Sequence, residues 1–144
     1  MLRIGKQRDS RQAFAPLGHL EETIMEILWA GGESNVREVA GKLGRPLAYT
    51  TVMTTLDRLY KKGLLDRRKQ QRAFVYAPHF SRRVWEQKRA GNFMAGYLSG
   101  PAAARDLLIS CLVETAGEQD EAILDELEHK IRLKRRELDR RRKT

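Results

Sequence analysis

The sequence predicts a mainly α-helical chain with a small antiparallel β wing: a winged helix-turn-helix domain plus a C-terminal helical dimerisation domain. Three observations carry this expectation. Apolar residues recur at i, i+3, i+4 and i+7 in successive segments, the period of a helix with one buried face. One short stretch, Phe74-Val75-Tyr76, has strand preference instead. Cations gather on one helix and the segment after it. From Arg45 to Arg72, eight (Arg45, Arg58, Lys61, Lys62, Arg67, Arg68, Lys69, Arg72) stand against Asp57 and Asp66, a local +6.

The chain has 144 residues, the size of one domain, or of a small domain with an appendage, and its net charge of +9 (28 − 19) points to a nucleic acid or an anionic surface as partner. No apolar run is long enough for a membrane span and no signal-peptide core opens the chain, so a cytoplasmic protein without membrane insertion is expected. A single cysteine, Cys111, excludes an internal disulfide and a cysteine-cluster metal site, and His19, His79 and His129 share no ligand spacing. No nucleophile–base set, carboxylate pair or phosphate-cradling glycine loop occurs, so neither an enzyme nor a cofactor is expected.

Taken in order, residues 1–16 carry Arg3, Lys6, Arg8 and Arg11 with little apolar periodicity and read as a flexible basic arm, a tail or a minor-groove ligand. A first helix spans about 20–30, with Leu20, Ile24, Ile27 and Leu28 buried, Glu21, Glu22 and Glu26 facing water, and Gly31-Gly32 as its stop. Asn35 and Glu38 form a capping-box pattern that opens a second helix, lined by Val36, Val39, Ala40 and Leu43 and ended at Gly44. Pro46 precedes a third helix whose apolar face is Val52, Leu56 and Leu59. Its opposite face carries Thr50, Thr54, Arg58 and Lys61: hydroxyls suited to base edges, then cations suited to phosphates. By itself this is equally an amphipathic surface helix; two helices with a tight Gly/Pro link into a third are the pattern whose last helix reads DNA.

Gly63 stops that helix, and residues 64–69 and 72–77 read as two strands around Gln70-Gln71, closed by Pro78. A basic hairpin tip is solvated in most proteins, but after a reading helix it forms a wing whose cations reach phosphates. The first domain is therefore 17–80. Helices resume at 81, where Ser81 is a cap and Phe80 with Trp85 a hydrophobic staple. Trp85, Phe93, Met94, Tyr97 and Leu98, then Leu107, Leu108, Cys111 and Leu112, then Leu124, Leu127 and Ile131 form apolar stripes with no large domain of their own to pack on. A second copy of the chain would bury them; packing back onto the first 80 residues is the alternative. Cys111 on its stripe reads as a small buried hydrophobe rather than a redox sensor. The dimerisation domain is thus 81–128, and 129–144 is the end of the last helix and a basic tail. Residues 101–128 carry one cation and eight acids (−7), and residues 129–144 nine cations and two acids (+7).

The motifs Leu17-Gly18-x-Leu20-Glu21, Ile24-Met25 and Leu28-Trp29 resemble the penicillinase-repressor (BlaI/MecI) family of bacterial transcription regulators. So do Leu47-Ala48-Tyr49-Thr50-Thr51-Val52-Met53-Thr54, Leu56-x-Arg58-Leu59, Lys61-Lys62-Gly63 and Tyr76-x-Pro78. The resemblance implies a homodimer that represses transcription from promoter dyads with a TACA/TGTA-like core. It places Tyr49, Thr50, Met53 and Thr54 against bases, and Arg45, Thr51, Arg58, Lys61, Arg67, Arg68, Lys69 and Arg72 fit as phosphate contacts. Thr50 and Met53 stand where some relatives carry lysine, and Ala48 where some carry a serine cap. The family's resistance repressors answer to a membrane sensor peptidase through cleavage at an Asn-Phe pair, replaced here by Cys111-Leu112. The copper-sensing cysteine pairs of another branch have no counterpart here. The arm and the basic tail extend past the shorter relatives and offer added nonspecific DNA affinity.

Two other functions compete on sequence grounds. A winged helix also serves as a protein-interaction module. A small-molecule-responsive repressor would hold its effector near Trp85, Phe93 and Tyr97, where aromatic core packing is the plainer reading.

Overall fold

The computed structural model describes residues 10–144, with side chains from residue 12 onward, so Arg3, Lys6, Arg8 and the side chain of Arg11 lie outside the described residues. The described chain forms α1 (Ser10–Ala13), α2 (His19–Gly31), β1 (Ser34–Asn35), α3 (Val36–Lys42), α4 (Tyr49–Lys61), β2 (Leu65–Gln70), β3 (Ala73–Pro78), α5 (Arg82–Leu98), α6 (Ala102–Gln119) and α7 (Glu121–Arg142). It divides into two compact units, one ending at Asn92 and one from Phe93 to Thr144.

In the first unit α2, α3 and α4 enclose one core. Ile24, Met25 and Leu28 of α2, Val36 and Val39 of α3, and Val52, Leu56 and Leu59 of α4 are buried together with Leu64, Leu65 and Tyr76. Truncating a residue such as Leu56 to Ala would cost about 2–5 kcal/mol. The expected cap is present: Asn35 Oδ1 accepts from the Glu38 N–H at 2.8 Å. The sheet has three antiparallel strands in the order β1-β3-β2, one more than expected. Ser34 pairs with Tyr76 and Asn35 with Val75, and so short a strand carries no periodicity to find in advance. Gln70 pairs with Ala73, which places the turn at Gln71-Arg72, one residue later than the sequence suggested. Gln71 enters the left-handed region at φ 55°, as tight hairpin turns demand.

Three further expectations are corrected. Residues 12–16 do not form part of a free arm: Ala13 is buried, its carbonyl accepts the Trp85 indole N–H at 2.9 Å, and Phe14 packs on Phe80 with ring centroids 5.6 Å apart. Glu21 does not face water but is buried in an ion pair with Lys62. Trp85, expected among the dimerisation residues, belongs to the first core, 5.3 Å from the Trp29 ring. Trp29 in turn donates to the Phe80 carbonyl at 3.0 Å. The start of α5, capped by Ser81 Oγ on the Val84 N–H at 3.2 Å, is thus fixed to the first unit, which runs past residue 80.

The second unit holds the end of α5 with α6 and α7. Phe93 and Tyr97 pair at 5.2 Å, Leu124 lies 3.6 Å from where a side chain on Gly117 would begin, and Ala116 is buried. Phe93, Tyr97, Leu107, Leu112 and Ile131 are exposed, while Met94, Leu108, Leu124 and Leu127 are half-buried. Cys111 is exposed as well, against the expectation of a buried hydrophobe. The segment foreseen as a basic tail is regular helix as far as Arg142.

Candidate nucleic-acid interface

The interface is built on α4. Val52, Leu56 and Leu59 are fully buried on one face, the opposite face presents Thr50 and Thr54, and Met53 beside them and Tyr49 at the start of the helix are 42% and 53% exposed. All four residues expected to read bases are therefore exposed to solvent, on a helix anchored along its apolar side. The start of α4 lacks a side-chain cap at Ala48; the Thr51 N–H turns to the Ala48 carbonyl at 3.0 Å, which leaves the Tyr49 and Thr50 N–H groups open to water or to a phosphate oxygen. Thr54 Oγ1 donates to the Thr50 carbonyl at 2.7 Å, so its hydroxyl proton is used within the helix and it offers a partner oxygen lone pairs and a methyl group. Thr55 does the same toward Thr51 at 2.8 Å, but is buried.

Gly63 sets where the helix ends and the wing begins. At φ 89° it occupies a conformation that costs side-chain-bearing residues, and the Leu64 N–H returns to the Leu59 carbonyl at 3.1 Å while the Gly63 N–H returns to Tyr60 at 3.0 Å. This close turn sends Leu64 and Leu65 into the core and β2 outward.

Asp57 joins helix to wing. Its carboxylate accepts from Lys61 at 2.8 Å, one turn along α4, and from Arg67 of β2 at 2.8 Å. The Lys61 hydrogen bond is the main force holding the Asp57 carboxyl below its ordinary value, with Arg67 adding and partial burial opposing. The Arg67 guanidinium also lies over the Tyr60 and Phe74 rings, 4.0 and 4.4 Å from their centroids. Burial pushes the pKa of the Tyr76 hydroxyl up, against the downward pull of the Arg67 charge.

The expected phosphate residues therefore fall into two groups. Arg67 is a correction: it is held by Asp57 and two rings and braces the wing. Arg68 is paired with Glu33, whose side chain meets it through two nitrogens, which also raises its pKa. Arg45, Thr51, Arg58, Lys69 and Arg72 are exposed, and none of those four cations has an ion-pair partner among the described residues. Lys61 is exposed and shares Asp57 in a surface pair of small worth, so it can turn to a phosphate. Asp57 and Glu33 escaped sequence reasoning as organising residues. The i, i+4 spacing of Asp57 and Lys61 was a usable signal; the pairings with Arg67 and Arg68 are long-range and left none.

The arrangement, an exposed Thr/Met/Tyr helix face flanked by cations and a braced basic hairpin, suits a groove and its phosphate walls. The chain aligns with the transcriptional regulator BlaI of Mycobacterium tuberculosis at 49% identity over 65 residues, 43% of this chain and 47% of that protein. It spans about half the length of these curated mycobacterial relatives. The penicillinase repressor of Bacillus licheniformis is 28% identical over 117 residues, 79% of this chain and 91% of that protein. Among solved structures, the DNA-binding domain of the repressor BlaI superposes with a TM-score of 0.44 and 31% identity, over 48% of this chain and 87% of that one. Residues 17–133 match the penicillinase repressor family, and the chain belongs to that family.

Proposed function

We propose that the chain is a homodimeric, sequence-specific DNA-binding repressor that acts in the cytoplasm on promoter dyads with a TACA/TGTA-like core. The observation that carries this reading is the two-sided character of α4: Val52, Leu56 and Leu59 wholly buried, with Tyr49, Thr50, Met53 and Thr54 all outward. In the groove these four meet base edges, and Arg45, Thr51, Arg58, Lys61, Lys69 and Arg72 meet phosphates.

Self-association is supported by the second unit, where Phe93, Leu107, Leu112 and Ile131 stand open to solvent on helices too few to enclose a core. A second copy covers them, Cys111 with them, and doubles the reading head to match a dyad. Release by a sensor peptidase is a further element of this reading. Cys111-Leu112 lies inside regular α6, so cleavage there requires that turn to open first, since proteases favour exposed, irregular segments.

A gel-shift titration of the full chain against a dyad duplex and a scrambled duplex, at about 0.15 M salt, tests the reading. A clear preference for the dyad is expected, with affinity falling steeply as salt rises. Equal affinity for both duplexes would overturn it.

A further inference from the structure

We propose that the C-terminal half of α7, from Lys130 to Arg142, is a second DNA-binding element that grips duplex phosphates without reading bases. The proposal rests on the reading of α4 as the base-reading helix and adds a contact to it. The segment is not a loose tail: α7 continues unbroken from its cap at Asp120, which accepts the Ala122 N–H at 2.9 Å, as far as Arg142. Thirteen helical residues reach about 20 Å, more than half a turn of duplex.

Its charge is greatly in excess of what the chain itself neutralises. Residues 129–144 hold nine cations against Glu137 and Asp139. Glu137 is taken by Lys134 and Arg141, at 3.0 and 2.6 Å, and Lys130 turns to Glu126 at 3.0 Å. Arg132, Arg135, Arg136 and Arg140 are exposed with no acidic partner among the described residues. Most of the cations are arginines, whose planar fork suits phosphate oxygens.

The placement of the charges favours DNA over other partners. At about 100° per residue the cations lie around the whole circumference of the helix. Ile131 and Leu138 share one side, but Leu133, also exposed, lies on the opposite one. A planar anionic lipid surface is matched by one apolar face with cations on the other, which this segment lacks. A groove walls a helix on both flanks, so cations on either side each reach a phosphate. An antiparallel second copy would bring Glu121, Asp125, Glu126 and Glu128 against the segment, but with its own Glu137 and Asp139 these four carboxylates still leave its eight cations in excess, at +2 (8 − 2 − 4).

The test uses the full chain and the quadruple variant R132Q/R135Q/R136Q/R140Q, which keeps good helix formers at exposed positions. Binding is followed across a salt series on dyad and scrambled duplexes, each extended by about one helical turn at either end. The glutamine variant is expected to lose about tenfold or more in affinity at low salt, equally on both duplexes, and the salt slope to shallow by about 0.9 per lost contact. The matching Arg→Lys variant restores the slope. An unchanged slope in a glutamine variant that remains dimeric by sedimentation overturns the proposal. So does a slope lost only because the dimer falls apart, or arginine-dependent binding to phosphatidylserine vesicles with the DNA slope unaltered. Failure of the α4 reading has a different mark: the wild-type chain itself would not distinguish dyad from scrambled DNA.

Discussion

Asp57 of α4 and Arg67 of β2 meet at 2.8 Å, and through this contact α4 is tied to the wing. Arg67→Gln is expected to lower thermal stability by about 1 kcal/mol, a charged hydrogen bond discounted for its partial exposure. It should leave the salt slope of DNA binding unchanged, whereas Arg58→Gln should shallow that slope by about 0.9. Identical behaviour of the two variants would show that bracing and phosphate-holding arginines are not distinct.

The same contact gives a pH dependence. The folded Asp57 carboxyl lies below its ordinary value of 3.8, so its stabilising effect is complete above that value. It is lost as pH falls through the lower folded value, when the carboxylate that holds Lys61 and Arg67 is protonated. Asp57→Asn should flatten the acid limb of the unfolding curve below about pH 4, read by circular dichroism, and leave stability above pH 5 independent of pH at this site.

Glu21 and Lys62 tie the start of α2 to the end of α4, with Lys62 Nζ 2.9 and 3.1 Å from the two carboxylate oxygens. Lys62→Ala leaves a buried carboxylate without its partner and is expected to cost about 1–3 kcal/mol by urea unfolding. The double change Glu21→Gln with Lys62→Met should recover most of that loss. A double-mutant cycle with no coupling would refute the pairing.

Trp85→Ala should melt the first unit, at a cost of about 3–5 kcal/mol, because it empties a core site and strips the Ala13 carbonyl of its donor. The residual folded protein should still be dimeric by sedimentation. Leu112→Glu should do the reverse: monomers, weaker dyad binding, and an unaltered melting transition for the first unit. If Trp85→Ala dissociates the dimer while the first unit stays stable, Trp85 acts at the interface after all.

Thr54→Ala should relax base preference and cost about 1–3 kcal/mol if the side chain meets a base edge. Thr54→Val separates the two chemistries, because it keeps a methyl group and loses the oxygen. Retained preference in the valine variant would assign the contact to the methyl, and equal loss in both would assign it to the hydroxyl.

The sequence by itself determined the elements whose signal is local. The period of Val52, Leu56 and Leu59, the Asn35–Glu38 cap and the Gly63 stop each act within a turn or two of helix, so spacing alone exposes them. The same holds for the outward face of Thr50, Thr54, Arg58 and Lys61, which follows once the buried face is known, whereas Tyr49 falls in register with Val52 and Leu56 and is exposed because it opens the helix. Only the tertiary structure decided the partners brought together from far along the chain. It placed Trp85 beside Ala13 and Trp29, Glu21 beside Lys62, Arg67 on Asp57, and Arg68 on Glu33. It also drew the two-residue β1 onto β3. A cation in a sequence looks the same whether it will face a phosphate or a carboxylate, because that outcome depends on which side chains the packed core brings within hydrogen-bonding distance.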